Sequence, residues 1–160
     1  MAKIISGGQT GVDRAALDAA RALGLSRGGW CPRGRRAEDG AIPPAYPLRE
    51  TASRGYANRT LRNVREADAT LILCRGGLSG GSGLTAALAR KLGKPALVVD
   101  LAGQPDAARV LAWARRHQVA VLNVAGPRES KCPGIQGQAT RFLLEALDGL
   151  RSPAVAVGGV

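Results

Sequence analysis

Ile4-Ile5-Ser6-Gly7-Gly8-Gln9-Thr10-Gly11-Val12-Asp13-Arg14 decides how the chain is read. It opens as a short apolar strand over Lys3–Ser6 and becomes a helix by about Asp13. Between them, Gly7, Gly8 and Gly11 permit backbone angles and close approaches that a side chain would block. A strand, a glycine turn and a helix N-terminus aim unpaired N–H groups and the positive end of a helix dipole at one point, which suits a phosphate or another oxyanion. Gln9 and Thr10 ride on that turn, and Asp13 is expected to cap the helix. The same pattern without a ligand is a plain tight βα turn.

Outward from this stretch, Ala16, Leu17, Ala20 and Leu23 make one apolar face of a helix that ends at Gly24. A short strand is expected around Gly29–Cys31. The next seventeen residues, Pro32–Leu48, hold four prolines and two glycines, a composition that argues against regular structure. So long a loop in a compact domain is usually functional or disordered, and this one reads as a lid or a solvated surface loop. Its Arg33 and Arg35 have the planar fork that fits an oxyanion; Glu38 and Asp39 suit a cation or a sugar hydroxyl. A helix over Gly55–Ala67 places Tyr56, Arg59, Thr60 and Asn63 on one polar face, which either lines a pocket or meets solvent.

Thr70–Cys74 is a continuous apolar strand, as in the middle of a parallel sheet. It leads into a second glycine-rich turn, Arg75–Thr85, where Gly80 and Gly81 are joined by the hydroxyls of Ser79, Ser82 and Thr85 at the start of a helix. Neither turn matches the Walker A or the dinucleotide fingerprint. The apolar strand Ala96–Val99 ends at Asp100, on the edge where ligands bind in open parallel sheets. A helix over Asp106–Gln118 follows, with His117 read as a surface or capping residue at its C-terminus. The strand Ala120–Val124 then opens a third loop carrying Arg128, Glu129 and Ser130, before a helix over Gly134–Leu147. Alternating strands and helices with short connections mean a parallel sheet with helices on both faces. The three loops should therefore gather at one sheet edge.

The 160 residues suggest a single domain over 1–150 with a loose tail at 151–160. Aromatic residues are only 3%, so the core must be built from Ala, Leu and Val. No apolar run is long enough to span a membrane and no signal peptide is visible, so a cytoplasmic protein is expected. The three cysteines, Cys31, Cys74 and Cys132, lack metal-type spacing and are expected to be reduced. Cys74 reads as core, whereas Cys31 and Cys132 lie near loops, either buried or beside a ligand. The formal charge of +11 raises nucleic acid as a partner. However, the basic residues are dispersed and no interleaved aromatics offer stacking platforms, so a small anionic ligand is the better reading.

Several ordered motifs resemble the putative molybdenum carrier family, a Rossmann-like group within the SLOG superfamily of nucleotide-binding proteins. They are Ser6-Gly7-Gly8-Gln9-Thr10-Gly11-Val12-Asp13-Arg14, Cys31-Pro32-Arg33-Gly34-Arg35 with Glu38-Asp39-Gly40, Tyr46-Pro47-Leu48, Arg59-Thr60 with Asn63, and Leu122–Ser130. The resemblance covers roughly residues 3–148. It implies a three-layer α/β fold, a homo-oligomer, and a nucleotide or the molybdenum cofactor as ligand. Cytokinin-activating phosphoribohydrolases of the same superfamily carry Pro-Gly-Gly-x-Gly-Thr-x-x-Glu, where this chain has Ser79 for the proline and Ala87 for the catalytic glutamate.

The sequence thus points to a binding or carrier protein for a phosphate-bearing ligand. The glycine loops would supply N–H groups, Arg33, Arg35 and Arg128 positive charge, and Asp13 or Asp100 a contact to a ribose or pterin, with Arg59 a further ligand contact. The alternative is a hydrolase of a nucleotide or nucleoside phosphate that uses Glu38, Asp39 or Glu129 as acid or base.

Overall fold

The structure is a computed structural model and describes residues 3–151; the expected loose tail lies almost wholly outside them. Five strands form one parallel sheet in the order β2-β1-β9-β7-β8. These are β1 (Lys3–Ile5), β2 (Ser26–Gly28), β7 (Ala69–Cys74), β8 (Ala96–Asp100) and β9 (Val121–Ala125). Helices α1 (Val12–Ala22), α4 (Ala107–Arg116) and α5 (Ile135–Asp148) pack together on one face, and α2 (Tyr56–Glu66) and α3 (Gly80–Lys91) on the other. This is the three-layer Rossmann-like α/β fold that the alternation of elements predicts.

Small residues set the packing. In α1, Ala15, Ala16, Ala19 and Ala20 are fully buried, and α5 answers with Ala139 and Ala146. With no bulky rings between them, these two helices lie against each other and the sheet, which is how a core with so few aromatics closes. All of β7 is buried, as a central strand should be. By contrast β8 alternates, with Leu97 and Val99 buried and Val98 exposed. Its apolar run suggests a strand covered on both faces, but β8 stands at the sheet edge and is covered on one.

Two local expectations are overturned. The strand expected at Gly29–Cys31 is two strands, β2 in the main sheet and β3 (Trp30–Cys31) pairing in parallel with β6 (Arg49–Glu50). Gly29 separates them at φ +125°, where a Cβ would lie 2.2 Å from the Ser6 carbonyl oxygen. The proline-rich stretch is also not structureless. Arg36–Ala37 (β4) and Gly40–Ala41 (β5) pair antiparallel, and Ile42 sits with Cys31 and Ala37 in a small apolar cluster that Tyr46 and Leu48 cover.

The topology holds a reordering. The last strand in the chain, β9, lies between β1 and β7. Counted from β9, the sheet runs 3-2-1-4-5, the Rossmann strand order without its sixth strand. The chain after β9 leaves for one face and the chain after β7 for the other, so a crevice opens between these two strands at their C-terminal ends.

Candidate functional site

The crevice is polar and has two connected parts. The deep part, about 60 Å³, is lined by Gly7, Gln9, Asp13, Arg59, Thr60, Asn63, Gly81, Thr85 and the segment Asn123–Gly126. The outer part, about 370 Å³, shares Gln9, Arg59, Thr60, Gly81 and Gly126 with it and adds Tyr56, Ser79, Gly80, Ser82, Leu84, Pro127, Arg128 and Lys131. Helix α2 thus turns its polar face into the crevice rather than to solvent.

The close approach of the loops depends on missing side chains. A Cβ on Gly126 would lie 2.5 Å from the Leu73 carbonyl oxygen, and one on Gly11 2.3 Å from that of Pro127. A Cβ on Gly7 would lie 1.8 Å from the Arg59 guanidinium, which therefore packs directly over the first glycine turn.

Asp13 and Arg59 form the charged floor. Asp13 Oδ2 accepts from the Arg59 guanidinium at 3.0 Å and from the Gln9 N–H at 3.1 Å. Asp13 is not the expected helix cap: Gly11 holds the N-cap position, and the carboxylate reaches back toward the turn and across to α2. Burial pushes its pKa up, opposed by Arg59, the Gln9 N–H and Arg14. Arg59 also donates to the Tyr56 carbonyl and lies over the Tyr56 ring, 5.3 Å from its centroid.

Around this floor, side chains tie the loops together. Gln9 Oε1 accepts from the N–H groups of Thr10 and Glu38. Glu38 accepts from the hydroxyls of Thr10 and Ser130 and from the Ser130 N–H, with Arg128 Nε 3.5 Å away. Burial alone would raise the Glu38 pKa, but the bonds from Ser130 and Thr10 and the charge of Arg128 hold it below its ordinary value. Arg14 grips Asp39 with both terminal guanidinium nitrogens, at 2.6 and 2.8 Å, and so holds that carboxyl low. Glu129 accepts from the Gly134 and Gln136 N–H groups at the start of α5, and its own N–H donates to Thr10 Oγ1.

The N-terminus of α3 stands open. No side chain caps it, and among the described residues no acceptor meets the Gly80 or Gly81 N–H groups. A Cβ at Gly81 would meet nothing within 4 Å. These donors share the outer cavity with Arg59, Arg128 and Lys131.

Of the residues singled out in the sequence, Gly7, Gln9, Asp13, Arg59, Ser79, Gly80, Gly81, Ser82, Thr85 and Arg128 line the crevice. Gly8, Thr10, Gly11, Glu38, Asp39 and Glu129 stand behind it, holding the loops. Three others lie apart. Arg33 is exposed, and its N–H donates to the Ser53 carbonyl. Arg35 donates to the Ile42, Pro43 and Tyr46 carbonyls and staples its own loop. Asp100 binds the Gly76 and Ala102 N–H groups, which hold its pKa low. Cys31 and Cys74 are buried, and burial raises both thiols. Sequence reasoning did not assign Asn123, Gly126, Pro127 or Lys131 to the site, although the first three lie in the family-like stretch Leu122–Ser130. Asn123 left a further trace, an amide within an apolar strand. Among the described residues, no group of three or more His, Cys, Asp or Glu side chains is placed to hold a metal ion. No helix among them is long and apolar enough to cross a membrane.

A Rossmann-like sheet with its polar crevice at the switch point between β9 and β7 defines the class of protein. Residues 4–147 match the circularly permutated YpsA SLOG family, and the chain belongs to it. In the sheet of this chain, the last strand in sequence, β9, stands where the Rossmann strand order begins. A crystal structure at 1.45 Å of a protein named putative molybdenum carrier protein, from Syntrophus aciditrophicus SB, is 44% identical. That match covers 91% of this chain and 94% of that one, with a TM-score of 0.85. No curated protein matches the chain.

Proposed function

We propose that the chain is a binding or carrier protein for a phosphate-bearing small molecule, a nucleotide or the molybdenum cofactor, seated in the crevice. One observation carries this reading: the uncapped N-terminus of α3 opens into the same cavity as three cationic side chains, Arg59, Arg128 and Lys131. Backbone N–H groups, a helix dipole and convergent positive charge together favour an anionic group. At about 370 Å³ the outer cavity is of a size that holds a small organic molecule, and Tyr56 and Leu84 offer it an apolar wall. The name of the Syntrophus relative, a molybdenum carrier, is in keeping with this. Location in the cytoplasm and self-association belong to the same reading, the latter supported by the exposed Leu78, Leu84 and Val98.

The test is a thermal-shift panel of mono-, di- and triphosphate nucleotides, molybdate and tungstate. A ligand at about 100 times its dissociation constant adds about 2.7 kcal/mol, so binding is visible as a raised melting temperature. The shift should be lost in Arg128→Ala. A panel without any shift would count against the nucleotide reading and leave the intact molybdenum cofactor to be tried.

A further inference from the structure

Sequence sets the arginines and the aromatic residues of this chain apart, but the fold interleaves them. Trp30, Tyr46 and Tyr56 each lie beside two guanidinium groups. Two of these clusters meet solvent on the flank of α2. Arg49 and Arg62 lie over Trp30, 5.4 and 4.8 Å from its ring centroid. Arg36 lies over Tyr56 at 4.8 Å and donates to the Arg54 carbonyl. Local folding joins the two. The pairing of β3 with β6 sets Trp30 in register with Arg49, and the Asn63 side chain of α2 bonds the Trp30 N–H and carbonyl. A Cβ on Gly34 would lie 3.2 Å from the Arg54 guanidinium, so that the loop after β3 carries Arg36 and Arg54 to the same flank.

Arg36, Arg49, Arg54, Arg62 and Arg65 are exposed, and none forms an ion pair among the described residues. The two carboxylates alongside are already engaged. Glu50 accepts from the Gly34 N–H and Glu66 from the Trp30 indole N–H. The flank runs from Tyr56 to Arg65, about 14 Å along α2. Exposed guanidinium groups without an acid partner attract phosphate and fit it with a planar fork. That alone suits any polyanion. The rings narrow the class, because an aromatic ring framed by guanidinium groups gives an unpaired base a flat surface to stack on. A lipid surface would need apolar side chains beside the charge, but the large exposed ones, Leu78, Leu84 and Val98, lie in or beside α3 and β8.

We propose that this flank of α2 is a docking surface for single-stranded nucleic acid, with the arginines on phosphates and the Trp30 platform under a base. Tyr56 and Asn63 are shared with the crevice wall; the five arginines are not. The surface therefore does not depend on what the crevice holds.

Fluorescence anisotropy of the full chain tests it, with labelled oligothymidylate, oligouridylate and a DNA duplex of the same length. A single strand should bind more tightly than the duplex, and the better of the two single strands tells DNA from RNA. Its affinity should fall at least tenfold between about 50 and about 200 mM salt. The double variant Arg49→Gln, Arg62→Gln should keep its melting temperature, lose about tenfold in affinity and show a shallower salt dependence. In Trp113→Phe, which leaves Trp30 as the sole indole, the single strand should quench the fluorescence, a readout taken on folded protein. If no single strand binds at the lower salt, or the double variant binds as well as the unaltered chain, the proposal falls. Duplex binding as tight as that of the single strands, without quenching of Trp30, also overturns it, since the surface would then answer to charge alone.

Discussion

Gly126 and Gly81 lack a side chain for opposite reasons. At Gly126 a Cβ would press on the Leu73 carbonyl and on Val12; at Gly81 it would enter open space. Gly126→Ala should therefore destabilise the fold by about 1–3 kcal/mol, as overpacking does, measured by urea unfolding. Gly81→Val should leave the urea midpoint within experimental scatter and abolish the ligand-induced thermal shift, because its side chain occupies the mouth of the crevice. Glu38 gives a pH-dependent case. Its pKa lies below the ordinary 4.5 in the folded state, so its contribution is complete above that value and is lost as pH falls through the folded pKa. Glu38→Gln should be less stable than the unaltered protein at pH 7 by about 1–2 kcal/mol, and the difference should shrink on acidification below about pH 4. At this scale the sequence was partly legible. Charged and glycine residues announced a polar loop site, but not which charges face a ligand. Arg35 and Arg59 look alike in sequence; one is spent on its own loop's carbonyls and the other lies in the crevice. The difference arises from chain segments that meet only in the fold.

The elements carry the loops to one place. α4 was expected from its pattern, and its start is fixed by Asp106, whose carboxylate accepts from the Ala108 N–H at 2.9 Å. Asp106→Ala should cost about 1 kcal/mol, read from a thermal or urea melt, with no effect on ligand binding. The regular helices and long strands were legible because apolar spacing alone specifies them. The stretch from Pro32 to Leu48 was not. Its order comes from tertiary contacts: Ile42 under Leu48, Arg14 on Asp39, and Glu38 across to Ser130. No local pattern encodes such contacts. The polar face of α2 was visible in sequence, but its direction was set only once α2 packed against α3.

At the scale of the whole molecule, the class was legible from alternation, whereas the strand order was not. Nothing in Val121–Ala125 announces that it belongs between β1 and β7, since the pairing partners are remote in sequence. The order predicts a tolerant rearrangement. α5 runs back from the ligand edge, so its end and the start of β1 lie at the same edge of the sheet. A permuted chain that opens near Gly103 and joins the end of α5 to Lys3 through a flexible linker should fold, with a melting temperature within several degrees of the original and an unchanged ligand-induced shift. It would also invert a problem of birth order. In the natural arrangement β1–β2 and β7–β8 have no contact with each other in the sheet until β9 is inserted between them. On the ribosome, the two halves must wait with open strand edges until residues 121–125 emerge, so the sheet closes late in synthesis and is exposed to mispairing until then.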